Sequence, residues 1–187
     1  AKKVGEEDYK TFIKKTNLLS SPKFELEEVG NPLNFKWNKC KLETISYGHG
    51  IAVTPLQATA AYAAITNGGN IVNPTIIKKK EYRVKERLIS SETSNKINKI
   101  LRKVVTKKEG TASLADIHGY DVGGKTGTSQ KYSNENENLN TFISVFPSQE
   151  PKYVLLVMLE NPQVASDLIY NYRGLKIRGT RNEAGWN

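Results

Sequence analysis

Residues 140–146 and 152–160 are two apolar stretches separated only by Pro147-Ser148-Gln149-Glu150-Pro151. Each is strand-sized and holds β-branched and aromatic residues, among them Phe142, Ile143, Val145, Tyr153, Val154 and Val157. A connector this short, with proline at both ends, folds two strands back as an antiparallel hairpin. A third run, residues 120–128, reads as a strand upstream of them. Between it and the hairpin lies 130–138, rich in Asn, Glu and Ser, which reads as a polar loop. The last part of the chain is therefore expected to be β-rich.

The preceding part is expected to be helical. Residues 5–19 hold apolar positions at Tyr9, Phe12, Ile13, Leu18 and Leu19, a short amphipathic helix ending near Asn17. Residues 20–40 are loop-like, with Pro22, Gly30 and Pro32. Thr54-Pro55-Leu56-Gln57 is a strong helix start: Thr54 can cap free N–H groups, Gln57 can reach back, and Pro55 suits the first turn. Residues 58–65 are small and apolar nearly all round, which suits a buried helix, and Asn67-Gly68-Gly69 stops it. Residues 71–77 and 82–89 read as short strands or extended arms. Ser91 opens a second clear helix with Ile97, Ile100, Leu101, Val104 and Val105 on one face and basic residues on the other. Gly110 closes it.

Composition narrows the classes. A chain of 187 residues with 37% apolar residues in distinct segments suits one packed domain. The longest apolar run, 153–159, falls far short of the roughly 20 residues of a membrane span. Residues 1–5 do not read as a signal peptide. The formal net charge is +9, with Lys and Arg spread along the chain. No nucleic-acid motif accompanies the charge, so a solvated basic surface is the reading preferred over nucleic-acid binding. An anionic polymer or membrane surface nearby would also suit it. Cys40, the single cysteine, excludes an intrachain disulfide. No His pair at helical spacing and no Cys/His cluster suggests a metal.

Chemistry concentrates in Asp121-Val122-Gly123-Gly124-Lys125-Thr126-Gly127-Thr128-Ser129. A cation, two hydroxyls and a position without a side chain suit a carboxylate ligand lying against a sheet edge. The same letters, from Gly119 to Thr126, match the phosphate-loop pattern G-x-x-x-x-G-K-[ST]. That mechanism needs a helix starting at Lys125-Thr126. The continuation, Gly127-Thr128-Ser129-Gln130-Lys131-Tyr132-Ser133-Asn134, has no apolar periodicity for one. The rival is the Lys-Thr-Gly element of serine acyl-transfer enzymes that act on penicillins and D-alanyl peptides.

A second segment is more specific. Ile45-Ser46-Tyr47-Gly48-His49-Gly50-Ile51-Ala52-Val53-Thr54-Pro55-Leu56-Gln57, running into 58–64 and Asn67-Gly68-Gly69, resembles the class B penicillin-binding proteins, most of all the septal, cell-division type (FtsI-like). Lys152-Tyr153-Val154-Leu155-Leu156-Val157-Met158-Leu159-Glu160-Asn161-Pro162 and Gly185-Trp186-Asn187 resemble the same family, so the likeness covers essentially the whole chain.

The resemblance implies an α/β (α+β) fold, an antiparallel sheet flanked by helices of the serine β-lactamase/D,D-peptidase-like transpeptidase type. It implies that residues 1–187 are the C-terminal portion of one transpeptidase domain, incomplete at both ends, with the S-x-x-K and S-x-N elements upstream. It implies a peptidoglycan D,D-transpeptidase acting through a serine acyl-enzyme whose Ser lies outside this chain, so that the chain alone is inactive and poorly stable. By the same resemblance Lys125 supplies positive potential, and Thr126 and Thr128 hold the substrate carboxylate. Gly127 keeps the strand open, and the Thr128 N–H serves as an oxyanion donor. Peptidoglycan stem peptides, β-lactams, a division glycosyltransferase and other divisome proteins are the implied partners. No cofactor is implied. The implied location is the periplasmic face of the cytoplasmic membrane, with the domain anchored by an N-terminal helix. A non-catalytic module binding peptidoglycan or an anionic surface, and a β-lactamase, are the alternatives.

Two decoys and two histidines complete the reading. Ser20-Ser21-Pro22-Lys23 matches S-x-x-K, but a short acidic stretch broken by Gly and Pro follows rather than a buried helix. Tyr132-Ser133-Asn134 imitates the second element from within the expected polar loop. His49, between glycines, is expected to be structural, and neither it nor His118 has a Gly-x-Ser-x-Gly elbow nearby.

Overall fold

The computed structural model describes residues 2–22, 24–26, 35–37, 41–78, 86–131 and 134–162. The chain divides into two compact units, Ala1–Ser94 and Asn95–Asn187, and the boundary falls inside a helix.

In the first unit, helix α1 (Glu6–Lys15) carries Glu6, Glu7 and Asp8 in its first turn and Lys14 and Lys15 in its last, which suits the helix dipole. It ends where the sequence indicates, with Asn17 in the left-handed region at φ 58°. A five-residue helix, α2 (Lys41–Ile45), was not legible in the sequence. Helix α3 (Pro55–Thr66) begins with the expected reciprocal cap. The Gln57 N–H donates to Thr54 Oγ1 at 3.2 Å, and the Thr54 N–H donates to Gln57 Oε1 at 2.9 Å. The other end of the buried Gln57 amide donates to the carbonyls of Asn17, Leu18 and Ser20 at 3.2, 3.4 and 2.7 Å. One side chain thus starts α3 and holds the turn after α1. Ala61 and Ala64 are buried, while much of the rest of α3 is half-buried.

Asn67-Gly68-Gly69 stops α3, with both glycines at positive φ. A Cβ on Gly69 would lie 2.0 Å from the Ile89 carbonyl oxygen, so no other residue fits there. Among the described residues, the two expected arms meet in an isolated bridge between Asn70 and Arg87, and residues 79–85 lie outside the described residues.

Helix α4 (Ser91–Thr106) differs from its expected face. Leu101 and Val105 are buried, but so are Ser94 and Asn98, and Ile100 is 59% exposed. Ser94 explains the rotation. Its hydroxyl donates to the Ile65 carbonyl at 2.6 Å and accepts the Gly68 N–H at 3.0 Å, so it must face the end of α3. Apolar periodicity cannot register a buried serine used as a cap.

In the second unit, β1 (Gly123–Lys131), β2 (Asn134–Phe146) and β3 (Tyr153–Glu160) form an antiparallel sheet in the order β1-β2-β3. Lys125, Ile143 and Leu156 stand side by side, as do Thr126, Phe142 and Val157. The face holding Phe142 and Val157 packs with Val105, Ala112, Ala115 and Val122 into the core, flanked by Val104, Leu155 and Leu159.

Two strand boundaries correct the sequence expectation. β1 begins at Gly123 rather than Tyr120, because Asp121 takes φ 49° and its carboxylate gathers other groups. Asp121 Oδ2 accepts from Ser148 Oγ at 2.9 Å and from the Gln149 N–H at 3.2 Å. Of the expected polar loop, residues 130–131 and 134–138 belong instead to β1 and β2, and the ladder continues through Ser129–Leu139 and Gln130–Asn138. Backbone pairing needs no apolar side chains. Here Asn161, just past β3, holds Asn138 by reciprocal 2.8 Å bonds and extends the order of β2. Among the described residues, no helix is long and apolar enough to cross a membrane.

Candidate active site

The strand carrying Lys125 is laid down by two glycines. A Cβ on Gly123 would come within 3.1 Å of the Arg102 nitrogen and 3.3 Å of the Leu101 carbonyl carbon, so its absence lets α4 sit against the strand. A Cβ on Gly124 would stand 2.7 Å from the Phe142 ring. Close packing on both faces at the start of the strand therefore positions the next four residues.

Lys125 is exposed, and its Nζ donates to the Thr126 carbonyl at 2.7 Å. Among the described residues no carboxylate neutralises it. Thr126 is half-buried, and its hydroxyl lies 3.0 Å from that of Thr111. The missing side chain of Gly127 makes room for its cross-strand partner Thr141, whose Oγ1 would stand 2.7 Å from a Cβ at that position. Thr128 is exposed, opposite Asn140.

Strand alternation separates these groups. Thr126 and Thr128 share the face that carries the core; Lys125 and Gly127 belong to the other. What the cation and the hydroxyls share is the edge of β1, which has no further strand beside it among the described residues.

Two bonds orient that edge. Thr141 Oγ1 donates to the Gly127 carbonyl at 3.3 Å, and Ser129 Oγ donates to the Leu139 carbonyl at 3.4 Å. The carbonyls of 127 and 139 thus lie between β1 and β2. In an antiparallel ladder, residues whose N–H and C=O face the partner alternate with residues whose groups face away. Thr126 and Thr128 are therefore the residues whose backbone groups open outward. The Lys125 bond to the Thr126 carbonyl agrees with that phase.

The phosphate-loop reading fails on this geometry. Lys125 and Thr126 are paired with Ile143 and Phe142 in a sheet, and no helix starts there to present amides to a phosphate. Ser20 lies in a bend beyond α1, exposed, with its hydroxyl on the Asn17 carbonyl at 3.4 Å, so it does not begin a buried helix. Lys23, Cys40, Tyr132 and Ser133 lie outside the described residues. His49 is exposed and stacks on Tyr47 with ring centroids 6.2 Å apart, and His118 is exposed in a turn. Among the described residues, no three His, Cys, Asp or Glu side chains gather as a metal site.

Sequence reasoning missed Thr111 and Arg102. Arg102 was assigned to a solvated basic face. It instead pairs with Asp116 at 2.8 Å and Asp121 at 2.9 Å and donates to the Val122 carbonyl at 2.8 Å, just before β1. Its neighbours in sequence gave no sign of this, because both carboxylates arrive from the segment after the helix.

The comparisons with known proteins bear on the family and the fold. Residues 1–180 match the family model for the penicillin binding protein transpeptidase domain. Stage V sporulation protein D of Bacillus subtilis is 33% identical over 180 residues, which cover 86% of this chain and 28% of that protein. A probable peptidoglycan D,D-transpeptidase FtsI of Caulobacter vibrioides is 33% identical over 178 residues, covering 87% of this chain and 30% of that protein. The chain thus spans less than a third of the length of these relatives. The apo structure of the TP domain of Burkholderia pseudomallei penicillin-binding protein 3 superposes with a TM-score of 0.76 at 27% identity, over 83% of this chain and 50% of that one. By family match and fold together, the chain belongs to the penicillin-binding protein transpeptidase domain family.

Proposed function

We propose that this chain is the C-terminal portion of a peptidoglycan D,D-transpeptidase domain and supplies its ligand-binding strand. A serine from a segment outside this chain attacks the carbonyl of the penultimate D-alanine, and D-alanine leaves as the acyl-enzyme forms. An amine of a neighbouring stem peptide then attacks the ester carbonyl, forming the cross-link and releasing the serine. β-Lactams acylate the same serine.

Each residue of the strand has a role in this scheme. Thr126 and Thr128 hydrogen-bond the terminal carboxylate, and Lys125, which no carboxylate among the described residues neutralises, supplies positive charge beside it. The Thr128 N–H donates to the oxyanion of the tetrahedral intermediate, a contribution of about 3 kcal/mol in comparable sites. Gly127 keeps the strand slim where the ligand lies. The observation that carries the reading is the phase of β1: two hydroxyls on one face, and the Thr128 N–H turned to the open edge.

One relative is named for sporulation and another as a probable peptidoglycan D,D-transpeptidase FtsI. Septal peptidoglycan synthesis, with a division glycosyltransferase and other divisome proteins as partners, is the cellular role proposed. The domain works on the periplasmic face of the cytoplasmic membrane, anchored by an N-terminal helix outside this chain. Labelling by a fluorescent penicillin tests the scheme. The polypeptide that joins this chain to its serine-bearing segment is expected to label covalently and hold the acyl group, and the 187-residue chain alone is expected not to label. Labelling of the isolated chain would overturn the division of labour. Rapid release of the label would make the enzyme a β-lactamase.

A further inference from the structure

We propose that Thr111 is a positioning residue: its hydroxyl orients the hydroxyl of Thr126 toward the ligand carboxylate. The inference rests on the reading of Thr126 as a carboxylate-binding group.

Thr111 is held in place from both sides. Before it, Gly110 is wedged under the end of α4, where a Cβ would lie 2.0 Å from the Val104 carbonyl oxygen. Its N–H donates to the Lys107 carbonyl at 2.9 Å. After it, Ala112 and Ala115 are buried in the core. Thr111 itself is exposed, yet the backbone on each side cannot shift. Thr126 is equally fixed, since it pairs with the fully buried Phe142 in the sheet. The 3.0 Å contact between the two hydroxyls therefore joins two rigid points.

The chemistry of a hydroxyl pair gives the contact a direction. Each hydroxyl has one proton to donate and can accept as well. A carboxylate only accepts. When it occupies the site, the Thr126 proton must turn to it, and Thr111 can then donate to the Thr126 oxygen. That chain polarises the Thr126 hydroxyl and leaves its proton one useful direction. Without the Thr111 hydroxyl the Thr126 rotor loses its partner, although nothing in the packing of β1 changes.

The test uses the polypeptide that joins this chain to its serine-bearing segment. Acylation rates are measured with benzylpenicillin, which carries a free carboxylate, and with its methyl ester, for the wild type and for Thr111→Val, Thr111→Ala, Thr111→Ser and Thr126→Val. Thr111→Val and Thr111→Ala are expected to slow benzylpenicillin about tenfold, the scale of one ordinary hydrogen bond, and to leave the ester rate unchanged. Thr111→Ser is expected to restore the benzylpenicillin rate. Equal slowing of both ligands, or no slowing by either hydroxyl-free variant at 111, would overturn the role of Thr111. In the second case, slowing by Thr126→Val would keep the site reading intact. If Thr126→Val itself leaves benzylpenicillin acylation unchanged, the carboxylate reading falls and this inference falls with it.

Discussion

Arg102 Nε lies 2.9 Å from Asp121 Oδ1, and this pair ties the last turns of α4 to the residue that launches β1. Both side chains are more than two-thirds buried. The same guanidinium binds Asp116, and the same carboxylate binds Ser148. Arg102→Ala leaves Asp121 half-buried without its cation and is expected to cost about 2 kcal/mol. Arg102→Lys is expected to recover only part of that, because an ammonium cannot reproduce the forked contact. Urea unfolding midpoints measure both. A change within a few tenths of a kcal/mol for Arg102→Ala would reduce the pair to a surface contact.

Tyr62 places its hydroxyl oxygen in the interior with no hydrogen-bond partner among the described residues. Burial raises its pKa well above the ordinary value of about 10. The sign follows from linkage. Above pH 10 the unfolded chain releases this proton and the folded chain keeps it, so the contribution is fully present below pH 10 and declines as pH rises beyond it. Tyr62→Phe is expected to be neutral or stabilising at pH 7 and to flatten the alkaline limb of stability against pH. A melt series from pH 7 to 11 decides, and an unchanged alkaline slope would remove Tyr62 as its source.

Thr54 and Gln57 separate two functions that share one motif. Thr54→Ala removes only the cap and is expected to cost about 1 kcal/mol. Gln57→Ala also strips the donor from three carbonyls after α1 and is expected to cost at least twice as much. Equal losses in denaturant titrations would mean that the amide contributes through the cap alone.

The outward phase of Thr128 has a direct check. Proline is tolerated in an edge strand where the N–H faces away from the ladder. In the polypeptide containing the serine, Thr128→Pro is expected to fold and to lose about 100-fold or more in acylation rate. Thr128→Val keeps the N–H and isolates the hydroxyl. Unfolding of Thr128→Pro with a normally acylated Thr128→Val would place that N–H inside the ladder instead.

Much of this architecture is legible from local chemistry. The reciprocal cap of α3, the glycines that end it and the hairpin of β2 and β3 all follow from neighbouring residues. So do the end of α1 at Asn17 and the placement of Lys125 on a strand. The resemblance carried by residues 45–57 and by Lys125-Thr126-Gly127 pointed to the family that the comparisons establish. The site was only partly legible. Its four strand residues stood out by type, but their division between two faces appears only once the ladder is built.

Local propensities and patterning determined where the main helices lie, that an antiparallel hairpin follows them, and which residues are candidates for the chemistry. Tertiary structure decided which way those residues face. It turned α4 so that Ser94 is buried and Ile100 exposed, drew Arg102 off the solvent face, extended the hairpin through polar residues and brought Thr111 against Thr126. Each outcome depends on a partner distant in sequence. Periodicity records how a side chain partitions between water and an apolar interior, but not which buried carbonyl, carboxylate or hydroxyl waits for it.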